Sequence, residues 1–159
     1  MDGYRFLFPL SEYQAAVLAA QLEMAKAITD HRLALWNRYN EGLAALEQRE
    51  VIVRPYIPPY CQHNGHIYRV MLRNESQRDA LLNALHALSI EASFHFQPLH
   101  VSPAGRRYGR FVGPLSTSSA SAAELLRLPM NISMELSDVD YIVDCIGAIV
   151  LTTAFQALT

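Results

Sequence analysis

The chain has 159 residues, enough for one domain that buries roughly 70% of its unfolded surface. With 51% hydrophobic and 18% charged residues it is too apolar for a disordered segment. Thirteen basic and fifteen acidic residues leave a formal charge of −2, and the one basic cluster is Arg106, Arg107 and Arg110, so a nucleic-acid partner has no electrostatic footprint.

Ser11-Glu12-Tyr13-Gln14 has capping-box spacing and opens the first predicted helix. Tyr13, Ala16, Val17, Ala20, Met24, Ala27 and Ile28 share one face, while Leu18, Leu22 and Ala25 cover much of the other. A helix that is apolar nearly all round must be covered on both sides. One side is expected to pack on this domain and the other on a further domain or a second subunit. Lys26, the only lysine, follows Glu23 by three residues and reads as its surface partner.

A second helix is expected after Thr29-Asp30, with Asp30 as its cap. Its buried stripe is Leu35, Trp36, Tyr39, Leu43 and Leu46, with Arg32, Arg38, Glu41 and Glu47 outward. Val51-Ile52-Val53 reads as a short strand, and the proline-rich 55–65 as a loop. A strand over 66–72 places Tyr68, Val70 and Leu72 on one face. Ser76 to Asp79 opens a helix that buries Leu81, Leu82, Leu85 and Leu88.

Next, Ile90, Ala92, Phe94 and Phe96 alternate with Glu91, Ser93 and His95, the period of a half-buried strand. Ser121 to Glu124 opens another helix that Pro129 stops. Ser137 to Asp140 opens a last one, with Val139, Ile142, Val143 and Ile146 on its buried side. The resulting order is α-α-β-β-α-β-α-α. The fold class is α+β, a single domain over 1–159 with two or three strands and about five helices, and 147–159 forms an apolar tail.

The chemistry candidates are histidines. His95 lies opposite Phe94 and Phe96, so it either faces a cleft or belongs to a solvated sheet face. His100 follows Pro98-Leu99, which fixes its direction unless it serves to cap the next turn. His63, His66 and His95 could be imagined as a metal-dependent enzyme's ligands, but no zinc-site spacing is present and no metal is expected. There is no glycine-rich phosphate loop and no nucleophile elbow. Cys61 and Cys145 have no CxxC partner, which favours a reducing compartment. The first residues do not form a signal peptide, and the apolar run from Cys145 to Leu151 is too short to span a membrane. A cytoplasmic protein with no membrane span is expected.

Ser11 to Ala16, Gln21-Leu22-Glu23, Arg32, Tyr39-Asn40, His66-Ile67-Tyr68, Phe94 to His100 and Leu126-Arg127-Leu128-Pro129 occur together and in one order. In that order they resemble the C-terminal domain of the DegT/DnrJ/EryC1/StrS sugar aminotransferases, over about positions 3–146. The resemblance implies a domain like the small C-terminal domain of a fold-type I pyridoxal-phosphate (PLP) aminotransferase. It also implies amino transfer from glutamate to a TDP-4-keto-6-deoxy sugar, with PLP carried by a large domain and the active site at a subunit interface. Under the resemblance His95, His100 and His66 bind the nucleotide sugar, and Tyr4 to Leu10 approaches a neighbour's cofactor phosphate. Leu7 falls where many relatives have an asparagine.

Such an enzyme needs a lysine for the Schiff base, and Lys26 lies in no recognisable phosphate cradle. No catalytic residue is therefore assigned, PLP is not expected to be bound covalently by this chain, and the chain alone is expected to be inactive. The expected partner is a large PLP-binding domain, or a second copy docked through the Tyr13–Ile28 helix. The alternative is a non-enzymatic interaction module that kept the fold.

Overall fold

In the computed structural model, residues 10–158 are described, and the Tyr4–Leu10 reading, with Leu7, lies outside them apart from Leu10. Among the described residues eight α-helices and three strands, besides a 3-10 turn at Leu99–Val101, follow in the order α1 (Glu12–Glu23), α2 (Ala25–Gly42), α3 (Ala44–Gln48), β1 (Tyr68–Met71), α4 (Glu75–Ala87), β2 (Ser93–Phe94), α5 (Pro103–Tyr108), α6 (Ser116–Glu124), β3 (Leu125–Leu128), α7 (Leu136–Val150) and α8 (Thr153–Gln156). Five of the helices have nine or more residues, so the α+β class with a small sheet stands.

The sheet is antiparallel with β3 in the middle, flanked by β1 and β2. Leu125 to Leu128 is thus the central strand, where the sequence reading expects a helix running to Pro129. The Ser116–Glu124 helix ends one residue earlier, and its apolar successors find two ladders to pair with. Tertiary pairing overrides local propensity here. Tyr68, Val70, Leu126 and Leu128 face the helices and are buried. Their neighbours Arg69 and Arg127 take the other face, by the two-residue period of a strand.

The core lies between that sheet face and α2, α4 and α7. Leu35, Trp36, Tyr39, Leu43 and Leu46 are all buried, as their helical spacing predicts. Tyr39 stacks on Tyr68 at 5.0 Å between ring centroids, and its hydroxyl donates to the Pro129 carbonyl at 3.1 Å. Burial pushes both phenols well above the ordinary tyrosine range, which keeps them as neutral donors. Helix α7 contributes Val139, Ile142, Ile146 and Val150, and Phe155 of α8 closes the end of the core. The apolar tail therefore contributes to this core at Val150 and Phe155.

Several local expectations change. α2 begins at Ala25 and not after Asp30, so Asp30 is inside a helix and caps nothing. It pairs with Lys26 at 2.5 Å, four residues back, in place of the expected Glu23. Val51 to Val53 is no strand: only Val53 bridges Met71, through two 2.9 Å hydrogen bonds, before Pro55 ends the pairing. The strand expected over Ile90 to Phe96 shortens to Ser93–Phe94, which pair with Arg127 and Leu126 of β3. Phe94 and Phe96 are exposed and do not anchor the core. Leu88 is exposed as well, beyond the end of α4.

The largest departure is α1. Its capping box forms, with Ser11 and Gln14 exchanging hydrogen bonds, yet no residue of α1 is buried. Tyr13, Val17, Leu18 and Leu22 are all exposed. The expectation that one face packs on this domain is not met, so both faces lie open.

Candidate functional site

The sheet face turned away from the core is where the polar residues gather. Gly65 places the approach to β1: it has φ +60°, and an added Cβ would lie 2.9 Å from the Arg32 carbonyl carbon and oxygen. Arg32 fixes this corner by donating to the Gly65 carbonyl at 3.2 Å and to the His66 carbonyl at 2.5 Å. His63 follows the proline loop, accepts the Gly65 N–H at Nδ1 (3.3 Å) and lies against the Trp36 ring at 4.4 Å.

These elements wall a cavity of about 410 Å3. Trp36, Tyr56, His63, His66, Arg69, His95 and Arg127 line it together with apolar neighbours and Asn64. Among the described residues no carboxylate lines it. Arg69 and Arg127 stand directly opposite one another in the β1–β3 register. Among the described residues neither has a carboxylate within 4 Å. Arg69 Nη1, Arg127 Nε and His95 Nδ1 are buried without a hydrogen-bond partner among the described residues. The Phe96 ring lies 5.7 Å from the Arg127 guanidinium carbon. Arg78 borders an adjoining cavity of about 560 Å3 shared with His95; Glu75 and Asp79 lie 3.0 and 2.9 Å from its guanidinium, although its Nε also makes no well-formed hydrogen bond among the described residues.

His66 and His95 are thus brought into one cavity, joined by His63. His100 is not: its Nε2 lies 3.0 Å from Ser119 Oγ, and it lines a separate cavity beside Tyr108 and Phe111. No group of three or more His, Cys, Asp or Glu among the described residues is arranged to hold a metal. The sequence reading passed over Arg69 and Arg127. Each is a charge set between two apolar strand residues; for Arg69 the strand over 66–72 already carries that signal, and for Arg127 it becomes legible once Leu125 to Leu128 is known to be a strand.

The residues present do not fit PLP. Lys26 is 86% exposed, is paired with Asp30 and lies on α2 outside the cavity, so it offers no desolvated amine for a Schiff base. No described helix is long and apolar enough to cross a membrane.

Taken together, these features define a small α+β domain with a basic, aromatic-lined sheet face. The model of the DegT/DnrJ/EryC1/StrS aminotransferase family matches residues 4–147, and the chain belongs to that family. The chain is 31% identical over 138 residues to the dTDP-3-amino-3,4,6-trideoxy-alpha-D-glucose transaminase of Streptomyces venezuelae, covering 86% of this chain and 35% of that one. It is 25% identical over 148 residues to the GDP-perosamine synthase of Caulobacter vibrioides, covering 92% and 39%. Among solved structures, S. venezuelae DesV in complex with a ketimine intermediate superposes with a TM-score of 0.80 at 28% identity, over 91% of this chain and 38% of that one. A family member from Brucella abortus gives 0.76 at 28% identity, over 90% and 36%. The chain spans little more than a third of the length of these relatives.

Proposed function

We propose that this chain acts as the small, substrate-covering domain of a PLP-dependent nucleotide-sugar aminotransferase. A large domain would supply the Schiff-base lysine and the cofactor, which provides the electron sink for amino transfer when bound. The reaction is transfer of an amino group from glutamate to a TDP-4-keto-6-deoxy sugar. Gln21 to Ala25, Arg32 to Trp36 and Ser102 to Gly105 resemble the transaminase that forms TDP-4-amino-4,6-dideoxygalactose, and that product is the one proposed. This chain's own residues bind and orient: His66 and His95 face the nucleotide sugar, while His100 supports the neighbouring turn through Ser119. The setting is the cytoplasm. One observation carries the reading: the family match runs over 4–147 while the single lysine is exposed and paired away.

The test is reconstitution. The chain is assayed with PLP, glutamate and the TDP-4-keto-6-deoxy sugar, alone and mixed with a large domain bearing the lysine. No amino sugar alone and amino sugar in the mixture are expected. Turnover by the chain alone would end the proposal. A stable self-associated particle that no large domain activates would favour the non-enzymatic interaction module.

A further inference from the structure

We infer that the segment from Arg106 to Val112 docks on an anionic lipid surface. The inference goes beyond the reading above and stands without it. From Ala92 to Ala123 the chain carries no acidic residue, and Arg106, Arg107 and Arg110 fall inside that run. The formal charge of the whole chain is −2, so this basic segment is set in a remainder that is acidic on balance. Among the described residues none of the three guanidiniums has a carboxylate within 4 Å.

The local backbone is fixed. Ser102 caps α5 by accepting the Gly105 N–H at 2.9 Å, and the Gly109 N–H returns to the Gly105 carbonyl at 2.9 Å. Gly105 lets α5 sit on the turn before it, since an added Cβ would lie 1.7 Å from the Leu99 carbonyl oxygen. That contact sets Leu99 beside the end of α5. Leu99, Tyr108 and Phe111 line one cavity of about 690 Å3 together with His100 and Arg110. The Arg107 guanidinium lies over the Tyr108 ring at 5.1 Å.

Charge and apolar surface are therefore interleaved over one patch. Val112 is 89% exposed, Leu99 82% and Tyr108 76%, with Phe111 exposed as well. Apolar side chains gathered in this way mark a contact surface. Three arginines are too few to track a nucleic-acid backbone. An acidic polypeptide would meet the guanidiniums but gives the exposed Val112 no apolar partner. A lipid surface takes every part: phosphates the guanidiniums, the headgroup level Tyr108, and the acyl boundary Phe111 and Val112. The acidic remainder is screened beyond a Debye length of about 8 Å.

The test is co-sedimentation of the full chain with phosphatidylcholine vesicles, with and without phosphatidylglycerol, in low and high salt. Binding that requires phosphatidylglycerol and falls with salt is expected. Each of Arg106→Gln, Arg107→Gln and Arg110→Gln should lower the partition coefficient about fivefold, and the three together roughly a hundredfold. Val112→Ser should weaken binding and Val112→Trp should strengthen it, neither disturbing a buried contact. Arg49→Gln, an exposed arginine on α3's C-terminal side, should bind as the parent does. So should Leu22→Glu on the exposed helix α1.

No preference for phosphatidylglycerol, or an equal loss in Arg49→Gln, would overturn the inference. A loss confined to Leu22→Glu would move the contact to α1 and overturn it too. Binding to polyglutamate but not to vesicles would assign the patch to an acidic polypeptide instead. Vesicle binding that vanishes once the chain is assembled with a large domain would make the patch a subunit contact, and the lipid reading would fall.

Discussion

Helices α1 and α7 are both rich in apolar residues, and the fold treats them in opposite ways. In α7, Val139, Ile142, Ile146 and Val150 recur every three or four residues and all are buried, with α2 and α4 packed against the helix. Polar neighbours such as Asp138, Asp140 and Asp144 leave the other side to water. In α1 the apolar residues go round the helix, and none of them is buried. The lesson is that a stripe flanked by charge specifies one packing partner, whereas a helix apolar on all sides specifies none within its own domain. Such a patch on a folded domain marks a contact surface.

Substitutions that separate the two helices test this comparison. Ile146→Ala empties a fully buried site and should cost about 2–5 kcal/mol of stability in urea unfolding. A much smaller loss would mean that α7 is not packed as described. Gly65→Ala should come next, at roughly 1–3 kcal/mol, because the residue must keep a positive φ and its new Cβ meets the Arg32 backbone. It should also disturb the His63–His66 corner, visible as a change in Trp36 fluorescence.

A smaller effect is expected from acid. The Arg54 backbone N–H and guanidinium, at 2.8 and 2.7 Å, hold the Glu47 carboxyl below the ordinary carboxylate range. A carboxylate depressed in the folded state adds stability above its unfolded pKa of about 4.3, and that contribution is lost as pH falls through the folded value. Glu47→Gln should therefore lower the melting temperature at pH 7 by the equivalent of under about 1 kcal/mol and flatten the acid limb of the profile. An unchanged limb would show that the Arg54 contact does not persist in solution.

Leu22→Glu on α1 should change stability least, within about 0.5 kcal/mol, while reducing any association through that helix. A loss approaching that of Ile146→Ala would break the comparison, because α1 would then have to be packed in solution.

Much of the fold was legible in the residues. The capping box at Ser11, the stripe from Leu35 to Leu46, the alternation over Tyr68, Val70 and Leu72, and the last helix each satisfy a local rule that the tertiary structure leaves in force. Where reading failed, a distant partner decided. Leu125 to Leu128 follows a helix and resembles its continuation, but two strands far away in sequence offer it hydrogen bonds. Phe94 and Phe96 have strand alternation, but pairing with β3 covers only Ser93 and Phe94, and both rings stay exposed.

The candidate site divides in the same way. His66 and His95 are recognisable from their order in the chain, and their residence in one cavity needs no more than a sheet. Arg69 and Arg127 gain meaning only from the β1–β3 register, which sets two charges opposite each other with no acid between them. The sequence by itself determined the class of fold and most of the buried stripes, because periodicity, spacing and composition are local quantities, and its ordered motifs carried the family resemblance. The tertiary structure alone decided which strand is central, that α1 finds no cover in this domain and that two arginines share one cavity, because each depends on which distant segments meet.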